Sequence, residues 1–427
     1  MPRTPEPRFT CTIPSICDDL PLNVRIYHPE CLSRPTSKNY VAGMDDGGDS
    51  EDHWPKKGII MAHPYAPMGG SYDDRVVGIV LDEFLGKGWI VCTFNFRGAH
   101  GSKGRTSWSG KPELDDYISS AAFFIHYLSY LRPDPPPTAV FTPEQSPVLS
   151  EARKQQDATS TSALAEGSPI VVLGGYSYGS LILKHMPPIP TILHPFSAPL
   201  AGSAVDEILL RAYKLADRAN LEWINQARDF ERRQKKRQKA QEHKLSVMMG
   251  GEETSPEKRR SSRDIRLSMD GGGRRSLDIG NTLRSLSHRR SANPSPSTQT
   301  PPKTTAPKRM ISMPQVRYLL ISPLTPPISA LAAPSLVPKF WSKPSDGASG
   351  DVISKHTTLV IFGDQDIFGS VKKVRDWTGG IQSESGSRFH GVEVEGAGHF
   401  WHEEGVEREL RDALIQWEAR VKGRSII

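Results

Sequence analysis

The sequence predicts an α/β protein, a mostly parallel sheet with helices on both faces, and two observations predict it. Short apolar runs alternate along the chain with longer segments whose apolar residues recur at helical spacing, the pattern of strand–helix–strand units. The runs themselves, such as Gly58–Ala62, Pro169–Leu173 and Thr358–Phe362, are apolar throughout rather than alternating, as strands buried on both faces are.

Phe9–Ile13 and Leu22–Tyr27 read as a leading hairpin turned at Asp18-Asp19, and residues 33–56 as a polar loop, so 1–56 precede the main body. Strand Gly58–Ala62 follows, then a Pro/Gly loop, a helix over Asp73–Leu85 and a strand over Trp89–Phe94. Pro112–Leu131 reads as a helix with proline in its first turn and Leu114, Ile118, Ala121, Phe124 and Leu128 on one face. Residues 132–167, rich in Pro, Ser, Thr and Gln, read as a surface loop inside a first core segment spanning 57–204. A second core segment, 316–427, offers strands near Tyr318–Ile321, Thr358–Phe362 and Gly391–Glu395 and a last helix over Glu403–Val421.

Between the two lies an insertion. Val205, Leu209, Ala212, Ala216, Ala219, Trp223, Ala227 and Phe230 recur at helical spacing, so residues 205–245 are expected to form a helical insertion whose apolar stripe ends near 230. Residues 246–315 are Ser/Arg/Gly/Pro-rich and too polar to offset the ordering entropy, so disorder is expected there. With 37% hydrophobic residues, 36 Pro and 36 Gly in 427 residues, the packed core is expected to hold only part of the chain, about 270 residues. The net charge of +6 belongs to the insertion: residues 211–310 carry 24 basic and 11 acidic side chains, net +13, which leaves the remainder at −7. A basic balance confined to one segment says nothing about the ligand of the core.

Cys11, Cys17, Cys31 and Cys92 have neither C-x-x-C nor Cys/His ligand spacing, so free thiols are expected and a disulfide framework or zinc site is not. The N-terminus lacks an apolar leader and no run approaches eighteen apolar residues, so a cytoplasmic protein without a membrane span is expected. The basic run Arg232–Lys239 would suit nuclear import, although a solvated helix end accounts for it as well.

The strand Pro169–Leu173 runs into Gly175-Tyr176-Ser177-Tyr178-Gly179. A G-x-S-x-G match alone is weak, with roughly 0.3 expected by chance in a chain of this composition. Its context, an apolar strand before and a helix-compatible segment after, is that of a nucleophile elbow. Ser177 is therefore the candidate nucleophile; an ordinary serine in a Gly-rich turn is the plainer alternative. A serine hydroxyl needs a base, and the base needs a third group to hold it. After Ser177 the chain supplies an acid and then a histidine on loops that follow strands. The strand Thr358–Phe362 leads into Gly363-Asp364-Gln365-Asp366, where Asp366 is favoured over Asp364 by a G-x-x-D spacing and the other is expected to cap the next helix. The last strand leads into Gly396-Ala397-Gly398-His399, and His399 is the candidate base; His390 and His402 are worse placed. Donors for a developing oxyanion are expected from the backbone N–H groups of Tyr178 and of Tyr65, since Pro64 has none, with Ala66 as second choice and His63 as a brace of the loop.

These pieces together resemble a group of predicted α/β-hydrolases that share an HP-x-x-x-x-GG loop, an FNFRG segment, the serine elbow and a terminal HFW or HFF. Here those are His63–Gly70, Phe94–Gly98, Gly175–Gly179 and His399–Trp401, within about 57–130, 168–200 and 317–420. The resemblance implies an α/β-hydrolase fold and a serine, histidine and aspartate acting together, and leaves the substrate open. His100, after FNFRG, and the insertion near 205–315 depart from the group's pattern.

The expected activity is that of a serine hydrolase, a carboxylic ester hydrolase forming an acyl-enzyme, with a small-molecule ester or amide as substrate and no cofactor or metal. Amide or peptide cleavage by the same residues is the alternative, as is an idle hydrolase scaffold whose basic insertion binds partners. The Pro-rich apolar run near 322–341 is expected to shape an acyl pocket, although core packing would account for it equally. Arg-Arg-Ser-Ser (259–262), Arg-Leu-Ser (266–268), Arg-Arg-Ser-Leu (274–277) and Arg-Arg-Ser-Ala (289–292) suit a basophilic kinase as partner. No nucleic-acid module is recognisable.

Overall fold

The structure, a computed structural model, describes residues 5–33, 54–133, 168–249, 311–336 and 352–422. The polar stretch 34–53, most of the loop 132–167, the serines of 259–292 and Trp341 lie outside the described residues. The chain divides into two units, residues 1–230 with 305–427, and residues 231–304.

The first unit holds one eight-stranded sheet. Its strands are β1 (Phe9–Pro14), β2 (Pro21–Tyr27), β3 (Lys57–Ala62), β4 (Ile90–Phe94), β5 (Ile170–Tyr176), β6 (Gln315–Ile321), β7 (Thr357–Gly363) and β8 (Phe389–Val394), in the order β1-β2-β4-β3-β5-β6-β7-β8. β1 with β2 and β2 with β4 pair antiparallel, and every later pairing is parallel. The helices are α1 (Arg75–Gly86), α2 (Lys111–Tyr130), α3 (Tyr178–Lys184), α4 (Ile189–Leu193), α5 (Ala204–Met249), α6 (Ile328–Ala332), α7 (Val371–Gln382) and α8 (Val406–Lys422). This is the α/β-hydrolase fold that the motifs imply.

The unbroken apolar character of the strands has its cause in two covered faces. Tyr318 and Leu320 of β6 and Val360 and Phe362 of β7 join one core with α2, α3 and α5. Their neighbours Leu319, Ile321, Leu359 and Ile361 point the other way, into the core under α1 and α8. Leu410, Leu414 and Trp417 are the buried face of α8, as their spacing predicts.

Arg97 of the FNFRG segment ties the antiparallel end to this body. Its Nε and Nη2 donate to the buried carboxylate of Asp116 on α2 at 3.0 and 2.7 Å, and Nη1 and Nη2 reach Asp18 in the hairpin turn at 3.0 and 3.2 Å. A planar fork of donors suits two carboxylates at once, which a lysine would not.

The apolar stripe of α5 packs as its spacing predicts: Ala212, Ala216, Ala219 and Trp223 are buried in the first unit. Trp223 donates to Leu32 O at 2.7 Å and Asn220 to Tyr130 O at 3.0 Å, which places this part of α5 at the amino edge of the parallel strands. In the second unit the helix continues from 231 to Met249, its side chains mostly exposed up to 241. Residues 246–249, which composition assigns to the disordered segment, are thus helical. A run of Glu, Arg, Gln, Lys and Ala has high helix propensity and propagates without an apolar face. Of the rest of the segment expected to be disordered, 250–310 lie outside the described residues, and Gln315 is instead the first residue of β6, held by the pairing with β5. No helix among the described residues is long and apolar enough to cross a membrane. All four cysteines are free.

Candidate active site

Strand β5 delivers Ser177 at a turn that has almost no room. Ser177 has φ 55 and ψ −112, a left-handed backbone that a non-glycine residue adopts only under constraint. A Cβ on Gly175 would sit 2.4 Å from the backbone of Gly179, and one on Gly179 would sit 2.6 Å from the carbonyl oxygen of Ala62 in β3. The two glycines of the motif are there because strand and helix touch. Ser177 N donates to Ile321 O at 2.9 Å, and Ser180 Oγ donates to Gly175 O at 2.5 Å, pinning the turn from both sides.

Strand β7 ends in the acidic loop. Asp366 Oδ1 accepts the N–H groups of Phe368 and Gly369 at 2.8 and 2.9 Å, and both its oxygens lie within 2.9 Å of His399 Nδ1. Asp364, the other candidate, instead accepts Gly396 N at 2.7 Å. The expectation that it would cap the next helix is corrected: the cap position of α7 is Ser370, with no side-chain cap bond. Asp364 is drawn to the β8 loop because the parallel pairing of Gly363 with Val394 brings that loop alongside.

His399 follows β8. Its Nε2 is 2.8 Å from Ser177 Oγ, and its Nδ1 is 2.8 Å from Asp366 Oδ2. The structure thus brings Ser177, His399 and Asp366 into one hydrogen-bonded line, with Ser177 and His399 each 5% exposed. A neutral imidazole that donates from Nδ1 to the carboxylate has its Nε2 lone pair free for the serine proton.

Three residues to which the sequence reading gave no role hold this line. Tyr176 donates its hydroxyl to the carbonyl of His399 at 2.7 Å, and burial pushes its phenol above the usual range, so it stays a donor. Phe368 packs its ring 4.7 Å from the imidazole. Trp401, with φ 56, donates from Nε1 to the hydroxyl of Ser322, itself at φ 45, at 3.0 Å. Two strained residues on different strands' loops are clamped together. Trp401 was visible as the last residue of the terminal motif; its bond to Ser322 was not.

The loop after β3 lies opposite. Tyr178 heads α3, where the first N–H groups of a helix have no acceptor within the helix. The Tyr65 ring meets the Tyr178 ring edge-on at 5.1 Å, which keeps the two proposed donor residues side by side. Gly70 closes the loop: its N–H donates to Tyr65 O at 3.2 Å, and a Cβ there would lie 2.3 Å from Pro64 O. His63 is buried; its Nε2 accepts Phe96 N at 2.9 Å while Nδ1 donates to Pro64 O at 2.6 Å. Burial lowers its pKa to about 4, so it stays neutral and braces the loop. His100 contributes a carbonyl, which accepts from Asn95 Nδ2, and leaves its side chain exposed.

Of the run 322–341, residues through 336 are described. Ser322 and Thr325 are bound to the Trp401 and Ser370 loops, and Ala333 and Leu336 lie against Gly110. Among the described residues no group of three or more His, Cys, Asp or Glu stands in a metal-binding arrangement.

No family model matches this chain, and no curated protein matches it. Among solved structures, similar ones include an α/β serine hydrolase homologue from Coxiella burnetii, 14% identical, with TM-score 0.40 over 96% of this chain and 97% of that one. A serine hydrolase without lid from Xanthomonas campestris is also 14% identical, with TM-score 0.40 over 99% and 98%. An esterase from Pyrococcus furiosus is 10% identical, with TM-score 0.38 over 96% and 90%. The chemistry is therefore read from this chain's own residues.

Proposed function

We propose that this protein is a serine hydrolase that cleaves carboxylic esters through an acyl-enzyme. The observation that carries the reading is the continuous line Ser177 Oγ, His399 Nε2, His399 Nδ1, Asp366 Oδ2, both hydrogen bonds at 2.8 Å. Ser177 Oγ attacks the ester carbonyl as His399 Nε2 takes its proton, and Asp366 holds the imidazole and stabilises the imidazolium. The tetrahedral oxygen is received by the N–H groups of Tyr178 and Tyr65. His399 then gives its proton to the leaving alkoxide, and water, deprotonated by the same nitrogen, releases the acid.

An alkyl fluorophosphonate probe tests the nucleophile. Labelling of the wild type that is lost in Ser177→Ala supports the reading. An unlabelled wild type would favour an idle scaffold. A panel of nitrophenyl esters and aminoacyl amides then separates ester from amide cleavage, and faster turnover of the amides would overturn the ester assignment.

A further inference from the structure

Apolar side chains left in water recur on the segments that leave the sheet edge of this site. Among the described residues eight large hydrophobic side chains are exposed, and five of them stand on segments leaving the carboxyl ends of parallel strands, the edge that carries Ser177. They are Met68 after β3 (63% exposed), Trp108 after β4 (75%), Leu331 after β6 (63%), Ile367 after β7 (81%) and Phe400 after β8 (45%). Clustered exposed apolar groups of this kind mark binding surfaces.

Four of the five segments are physically joined. Gly110, two residues from Trp108, is in contact range of Ala333, two residues from Leu331. Ser370 N donates to Thr325 Oγ1 at 2.7 Å, linking the Ile367 loop to the segment that carries α6. Phe400 meets Phe368 edge-on at 5.7 Å. From β4 to β8 the rim crosses six neighbouring strands, about 24 Å at the usual strand spacing. A small ester at Ser177 leaves both ends of such a rim in water; one with extended aliphatic arms on either side of the carbonyl covers them.

The chemistry orients the two arms of the ester. His399 must protonate the leaving oxygen, so the alcohol arm lies on the His399 side, beside Phe368 and Phe400 and the loop that also carries Ile367. The acyl arm lies on the other side, toward Met68 and Trp108 and toward the α6 segment of Leu331, which leaves β6 but reaches back to Gly110. Resting on the ester-hydrolase reading above, we infer that the substrate is an ester of a long aliphatic acid, its acyl chain seated on Met68, Trp108 and Leu331 and an apolar alcohol arm seated on Ile367 and Phe400.

The test is chain-length dependence below the aggregation concentration of each ester. Wild-type kcat/KM is expected to rise about two- to fourfold per methylene from acetate to dodecanoate. Trp108→Ala and Leu331→Ala should flatten that slope but leave the dependence on alcohol length, and Ile367→Ala should do the reverse. These side chains are exposed, so the variants are expected to fold. A flat wild-type profile, or slopes unchanged in all three variants, would overturn the inference. Calorimetric titration of Ser177→Ala protein with dodecanoate separates it from the catalytic reading. Binding that weakens about tenfold with Trp108→Ala, without turnover of any ester by the wild type, sinks the catalytic reading alone. Hydrolysis without dodecanoate binding sinks the rim.

Discussion

Tyr176 and His399, 223 positions apart in the chain, are joined by a 2.7 Å hydrogen bond from the tyrosine hydroxyl to the histidine's own carbonyl. The residue just before the nucleophile thereby fixes the loop that carries the base. Tyr176→Phe leaves that buried carbonyl without its donor, at a cost of about 1–3 kcal/mol. The expected outcome is a fall in denaturant midpoint and a kcat about tenfold lower with KM little changed, since the imidazole loses its register with Ser177. An unchanged kcat would show that the loop is held by Trp401 and Phe368 without it.

Asp364 and Asp366 separate cleanly by amide substitution. Asp366→Asn places an NH2 against the Nδ1–H of His399 and is expected to lower kcat by a factor on the order of 10⁴. Asp364→Asn keeps an oxygen for Gly396 N and is expected to stay within about threefold. Paired steady-state kinetics check both, and a larger loss at Asp364 would reverse the assignment.

Gly70 tests the Tyr65 donor without touching it. A Cβ 2.3 Å from Pro64 O must push the loop outward. Gly70→Ala is expected to lower kcat about 10²-fold with little change in KM, the signature of lost oxyanion stabilisation. Slower fluorophosphonate labelling should accompany it.

Burial holds His63 neutral, with its pKa lowered to about 4 from 6.5. Between those values the unfolded chain binds a proton that the folded one refuses. Its contribution is therefore fully present above about pH 6.5 and is lost as pH falls toward 4, at about 1.4 kcal/mol per unit within that window. His28, lowered to about 3, and His126, lowered to about 4, act in the same direction. Urea unfolding at pH 7.5 and 5.0 should show lower stability at pH 5.0, with a smaller difference in His63→Asn. Equal stability at the two pH values would contradict a neutral buried His63.

The sequence by itself determined the alternation of strands and helices, the elbow around Ser177, the position of His399 and the pairing of the first two strands. All of these are written in short-range physics: apolar periodicity, and glycines where the backbone must turn or be approached closely. The helix α5 was legible to 230 for the same reason, and past it only propensity, not pattern, carried the signal. The G-x-x-D spacing favoured Asp366 over Asp364, but only the tertiary structure brings one of them to the imidazole. Both leave the same strand two residues apart, and which one meets the imidazole depends on the crossing of the β8 loop over β7. The tertiary structure also decided the roles of Tyr176, Phe368 and Trp401, and gathered Met68, Trp108, Leu331, Ile367 and Phe400 on one edge. A side chain's partner across a sheet is set by strand order and register, which a linear pattern does not encode.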